Sequence, residues 1–299
     1  AGGNILNFFY LRKKDICINF VWDANIKKHI RPIFILFFNN IASVIYLNSD
    51  ITMIGLLLDE TQVGVYTVAS RIYMMIKTLI NALILVTVPR FSMYIATDRK
   101  EEYEKELQKV FDILMLMIVP TAIGMFIKAD EIIILIAGED YLSGVNVIRI
   151  LSLAILFAVL ACYMSYSILL PNKKDMVFML ATSIAAFSNI AFNLFMIPML
   201  KIDGAAYTTL VAEIIVFLIS YKYVKKMGFI LMGEKRSILI CVIGGVAISF
   251  VCLLIDRIIC NQIINLFVSI LTSALVYISI LFLLKHKVVR YFFESKKGI

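Results

Sequence analysis

The sequence predicts an all-α, polytopic integral membrane helix bundle of about eight transmembrane helices, and three observations carry that prediction. Hydrophobic residues make up 62% of the 299 and charged residues only 17%, with a mean hydropathy of +0.93. A soluble domain averages about 45–50% apolar and about 25% charged. The apolar excess is divided into a series of runs, each near the roughly 20 residues that cross a bilayer. The basic residues sit in the short breaks between those runs, and they favour alternate breaks.

The elements follow in order. The chain opens "AGGNILNFFYLRKK", an apolar stub that runs into Arg12, Lys13 and Lys14 with no initiator Met and no signal-peptide pattern. Residues 1–31 therefore read as the end of a preceding helix plus a basic cytoplasmic linker, and a missing front part is expected. Residues 32–228 read as a six-helix lobe with spans at 33–57, 64–88, 108–127, 147–170, 176–199 and 205–222. Residues 229–299 add a hairpin, 237–255 and 263–284, and a basic tail. The hydrophilic breaks include "LDETQ", "PNKKD", "KIDG" and "DRIICNQ". Residues 99–109, "RKEEYEKELQK", predict an amphipathic cytoplasmic helix that leads into the third span. In 129–146 the patch "EIIILIAG" is too short to span, and predicts an interfacial helix on the outer surface.

If the sides alternate from the N-terminal segment, 23 of the 29 basic residues fall on the first side. The opposite side receives Lys128, Lys201 and Arg257, while Arg71, Lys77 and Arg149 lie within or at the edge of spans. One miscounted helix would scramble this pattern. The first side is therefore expected to be cytoplasmic, with both ends of this chain there, in a multi-pass protein of the cell membrane. The net charge of +8 is explained by topology and calls for no nucleic acid.

A charge at mid-membrane costs several kcal/mol and is expected to face a bundle interior or a wet cavity. Asp50 lies in the otherwise apolar "YLNSDITMIGLLL" at 46–58. Counted from the first external turn, it sits at about the depth of Arg71 on the next helix, which makes Arg71 its expected partner. Asn39, Ser43, Tyr46 and Asp50 follow 4-3-4 spacing and share one stripe of the first span. On the second span Ser70, Lys77 and Asn81 form one stripe, and Thr67, Arg71 and Thr78 another. Two polar-lined helices carrying an Arg and a Lys predict a cationic compartment, which is a place for an anion. Lys77 finds no carboxylate on its own hairpin. Glu213 in the sixth span is a candidate partner, and a Lys77–Glu213 pair would give the lysine a structural reading. Asn189 and Asn193, one turn apart, read as interhelical hydrogen-bond glue, and Asp112 and Arg149 as interfacial.

No catalytic pattern competes: the sequence has no G-x-S-x-G, P-loop, H-E-x-x-H or D-x-D, and no long external loop to carry one. An enzyme is not expected. Five cysteines (Cys17, Cys162, Cys241, Cys252, Cys260) form no CxxC, and the two histidines, His29 and His286, stand beside basic clusters. No metal and no cofactor are expected.

Four stretches together resemble a known family: "NSDITMIGLLLDETQVGVYTVASRI" at 48–72, "VPRFSMY" at 88–94, "GEDYLSGVNVIRILSL" at 138–153 and "KIDGAAYTTLVAEII" at 201–215. They are similar to the Wzx-type polysaccharide flippases. Those transporters carry lipid-linked oligosaccharides and share a superfamily with multidrug extruders and lipid II flippases. The likeness covers essentially the whole chain but only the C-terminal lobe, helices 7–14, of a two-lobed architecture. It implies a V-shaped cationic cavity that receives an undecaprenyl-type diphosphate carrier and opens alternately to each side. Carried over, Arg71 and Lys77 hold the diphosphate with Asn81 beside them. Asp50 and Glu213 act as charge partners or in coupling to a proton or sodium gradient, and Asn39, Ser43, Tyr46, Thr67 and Thr78 line the cavity. The last hairpin corresponds to the pair that can guide the lipid tail.

The implied partners are membrane lipid, the lipid-linked oligosaccharide, and a missing N-terminal lobe or a second copy. Polysaccharide polymerase and glycosyltransferases of the pathway complete the set. The alternatives are a drug/cation antiporter of the same superfamily, which would place carboxylates at its midplane site, and a membrane component of polysaccharide biosynthesis without transport. Ile-, Asn- and Lys-rich usage points to an AT-rich bacterial genome.

Overall fold

The computed structural model describes residues 48–229, 235–284 and 286, with only the backbone given at 235, 236 and 238. All regular structure among them is helical. Helix α1 is described over 48–57, so most of the first expected span, including Asn39, Ser43 and Tyr46, lies outside the described residues.

Helix α2 is Glu60–Ala96. Its start is local chemistry: the Asp59 carboxylate accepts the Gln62 backbone N–H at 2.8 Å, which caps a first turn that carries Glu60 against the helix dipole. The sequence places a hydrophilic break from Arg90, yet α2 continues through Pro89 to Ala96. Thr97 then ends it, its hydroxyl bonded to the Met93 carbonyl at 2.9 Å. Helix α3 is Lys100–Ile127 and fuses the amphipathic segment and the third span into one rod. The short helix α4, Ala129–Ala137, stands where an interfacial helix is expected. It stops at Gly138, whose φ of 93° disfavours other residues.

After the 3₁₀ turn Glu139–Gly144 comes α5, Val145–Tyr163, which runs into the π-helical turn Met164–Leu169. Helix α6, Asp175–Lys226, has 52 residues. Straight, it would be about 78 Å long, more than twice the ~30 Å hydrocarbon core. A backbone break at Lys201 (φ 54°, ψ −134°) divides it into two arms, at the sequence "KIDG". Gly204 lets the arms fold closely, since a Cβ there would stand 2.2 Å from the Met196 carbonyl oxygen. Helices α7, Lys235–Ile258, and α8, Gln262–Leu283, complete the described chain as a hairpin.

Counting the arms of α6 separately, the helices long and apolar enough to span coincide with seven of the eight expected spans. The surface is apolar: Phe187, Phe195, Met199 and Leu283 are each more than two-thirds exposed. That inversion suits a lipid solvent. One core joins α1 to α6, with Tyr66, Phe91, Leu114, Ile148, Ile155 and Tyr163 at its centre. A smaller one seats the hairpin on α3 through Leu116, Cys241, Ile248, Cys252 and Tyr277. Gly245 permits this contact, since a Cβ there would meet Ile123 at 2.6 Å, and Gly244 closes the hairpin itself, since a Cβ there would meet the Tyr277 ring at 2.2 Å.

Candidate functional site

Polar groups penetrate the lobe in two neighbouring clusters. Asp50 of α1 is the centre of the first. Its Oδ2 accepts from the Tyr66 hydroxyl at 2.8 Å and the Thr209 hydroxyl at 2.7 Å, and its Oδ1 from Asn193 Nδ2 at 2.6 Å. Around this shell the Thr208 hydroxyl donates to Asn193 Oδ1, Asn193 Nδ2 also reaches Asn189 Oδ1 at 3.3 Å, and Ser49 donates to the same oxygen at 3.2 Å. Four segments therefore converge: α1, α2 and both arms of α6. Even a partly buried carboxylate is costly unless hydrogen-bonded, and three donors, each worth roughly 1.5–3 kcal/mol to a charged acceptor, offset that cost. Among the described residues no cation pairs with Asp50.

The expected Asp50–Arg71 pair is not formed. Rise along a helix does not fix azimuth, and azimuth decides which side chains meet. Tyr66, Ala69, Tyr73 and Ile80 define the buried face of α2. Arg71 lies five residues beyond Tyr66, about 140° round the helix at 100° per residue. It is exposed, and has no ion pair among the described residues. Met75, Thr78 and Ala82 share its exposed stripe, with Thr67 partly buried above it.

The second cluster is the Lys77–Glu213 ion pair, which bridges α2 and the second arm of α6. The Tyr73 hydroxyl donates to the same Glu213 Oε1 at 3.1 Å, and the Lys77 ammonium stands 5.4 Å from the Tyr73 ring centroid. Thr209 and Glu213 are one turn apart on one face, so the two clusters are adjacent levels of one polar seam. Beyond Lys77 on α2, Asn81 Oδ1 is buried with no hydrogen-bond partner among the described residues.

Sequence reasoning missed Tyr66, Thr208 and Thr209, which look ordinary in an apolar run; it singled out Asp50, the Asn189/Asn193 spacing and the Lys77–Glu213 pair, which the fold forms. It also placed Lys128 in an external break. In the fold Lys128 is 2% exposed, bonded to Glu131 at 3.1 Å, Asn265 at 2.6 Å and Asp256. Burial alone would lower its pKa, but the bonds to Asp256 and Glu131 outweigh it, and the pKa is raised. This knot ties the hairpin to the lobe beside an apolar cavity of about 420 Å³ between α3, α7 and α8. Asp112, expected at an interface, is buried at 7% exposure. Arg149 pairs with Asp130 at 2.8 Å.

Residues 18–146 match a family described as "Polysaccharide biosynthesis protein". The chain is 22% identical over 246 residues to the "Probable low-salt glycan biosynthesis flippase Agl15" of Haloferax volcanii, covering 81% of this chain and 51% of that protein. It is 26% identical over 177 residues to the "Probable flippase AglR" of the same organism, covering 58% and 37%. In fold it is similar to the lipid II flippase MurJ in an inward closed conformation, with a TM-score of 0.76 and 21% identity over 96% of this chain and 61% of that one. The chain thus spans about half the length, or less, of the curated relatives it matches. The likeness to the solved structure shows a shared fold, and the family match covers residues 18–146 of this chain.

Proposed function

We propose that this chain forms one lobe of a transporter that moves a lipid-linked oligosaccharide of the undecaprenyl-diphosphate type across the cytoplasmic membrane, for surface polysaccharide biosynthesis. The observation that carries this reading is Arg71. A guanidinium exposed at span depth on α2, without a carboxylate partner among the described residues, is expensive in lipid. That stripe of α2 is therefore read as the wall of a wet, cationic cavity, and a diphosphate suits its charge. Alternating access follows when the lobe rocks against a second one, supplied by another part of a longer chain, a second copy or a partner chain. The apolar cavity beside the hairpin suits a lipid tail. Asp50, held by neutral donors among the described residues, suits uptake of a proton or a sodium ion in coupling. Polymerase and glycosyltransferases are the expected neighbours, and no step calls for chemistry by this chain.

Replacing Arg71 by Ala and Lys77 by Ala in the full-length protein tests this. The lipid-linked intermediate should accumulate on the cytoplasmic side. Normal surface polysaccharide with both changes present would overturn the assignment. A drug/cation antiporter is the second reading, and Asp50 favours it: a carboxylate without a cation among the described residues is what a cationic cargo or ion would meet. Cells carrying Asp50→Asn would then lose drug resistance and keep their surface polysaccharide.

A further inference from the structure

Lys77 is held by Glu213 in this structure, so a cargo anion cannot simply add to it. The surroundings of Glu213 show what would release it. Among the described residues, Lys77 and Tyr73 of α2 bond to it and Cys162 of α5 stands within electrostatic reach. Lys77 is the one cation paired with Glu213 among the described residues. The pair is partly open, with 21% of the lysine and 13% of the glutamate side chain exposed. A buried pair whose members serve only each other can be an apolar contact instead at little cost. A partly open charged pair less than two turns from the exposed Arg71 has a use for its charge.

We infer that Lys77 is an anion site kept occupied by Glu213, and that the diphosphate of the cargo takes Lys77 as Glu213 takes up a proton. This rests on the flippase reading. The exchange balances simply. The Lys77 ammonium gives up the Glu213 carboxylate and donates to a diphosphate oxygen, while the carboxylate gains one proton from the aqueous phase. Without that proton, a carboxylate and a diphosphate would share a low-dielectric site, where like charges repel strongly. The Tyr73 hydroxyl, no longer bound to a charged acceptor, becomes a second donor for the anion. Binding of cargo and of a proton are thereby linked at one pair of side chains, separately from Asp50.

The test uses the purified full-length protein and farnesyl diphosphate as probe, with calorimetry in buffers of different ionisation enthalpy to count protons. Wild type should take up about one proton more per ligand than Glu213→Gln, and lose affinity relative to it by up to about tenfold per pH unit as pH rises. Measuring against Glu213→Gln cancels the titration of the diphosphate itself. The double variant Lys77→Met/Glu213→Met keeps the helix contact without the charges, so it remains informative if Glu213→Gln fails to fold. It should bind the probe at least tenfold more weakly than wild type. Equal proton counts for wild type and Glu213→Gln, or wild-type affinity in the double variant, would make the pair a helix-register device and overturn the inference. If wild type bound no diphosphate at all, the flippase reading itself would fall, and this inference with it.

Discussion

Asn193, on the first arm of α6, donates its amide hydrogen to Asp50 Oδ1 at 2.6 Å across 143 positions of sequence. The same carboxylate draws Tyr66 and Thr209 inward, so one side chain fixes the approach of three other segments. We predict that Asp50→Ala destabilises the protein by about 3 kcal/mol, because buried donors left without an acceptor cost roughly 1–3 kcal/mol each. Asp50→Asn, which keeps one acceptor oxygen, should lose less. Thermal unfolding in detergent ranks the two, and equal melting temperatures for wild type and Asp50→Ala would contradict the prediction.

Arg71 should behave in the opposite way. It is exposed and bonded to nothing among the described residues, so Arg71→Ala is expected to change stability by no more than about 0.5 kcal/mol while transport falls sharply. A melting curve and a transport assay on the same preparation check both halves. A large loss of stability would show that Arg71 has a structural contact.

Lys128 fastens the hairpin. Replacing it by Met leaves the Asp256 carboxylate and Asn265 without their shared cation, at a cost on the order of 3 kcal/mol. The pKa of Lys128 is raised, so its contribution is complete below the ordinary lysine range and is lost only as pH rises through the higher folded value. The difference in melting temperature between wild type and Lys128→Met should therefore stay constant from pH 6 to pH 9. A difference that shrinks across that window would mean the ammonium is not the group that stabilises.

Two glycines should be graded by what they touch. A Cβ at Gly204 would meet the Met196 backbone oxygen at 2.2 Å, whereas at Gly244 it would meet the Tyr277 side chain at the same distance. Backbone cannot step aside as a ring can. Gly204→Ala is expected to cost more than about 3 kcal/mol, and Gly244→Ala about 1–3 kcal/mol, the range of overpacked cores. Tyr277→Leu should rescue only the second, as read by expression and melting temperature of the single and paired variants.

What the sequence determined by itself is one-dimensional. The order of the spans from residue 64 onward, the break at "KIDG" and the amphipathic entry to α3 all depend on residues within a turn or two of one another. Hydropathy and helical period report such local relations directly. The sequence also placed a carboxylate and two cations at span depth, because rise per residue is nearly constant. It could not choose their partners. Depth says how far along a helix a residue lies, while azimuth and the neighbour across from it are set when helices pack. Arg71, expected at the depth of Asp50, is exposed on α2 and does not pair with it; Asn193 and Thr209 reach Asp50 because the two arms of α6 fold together over Gly204. Lys77 passed over its own hairpin for Glu213, 136 positions away. Only the tertiary structure could decide these pairings, since close packing brings together residues that no local pattern connects.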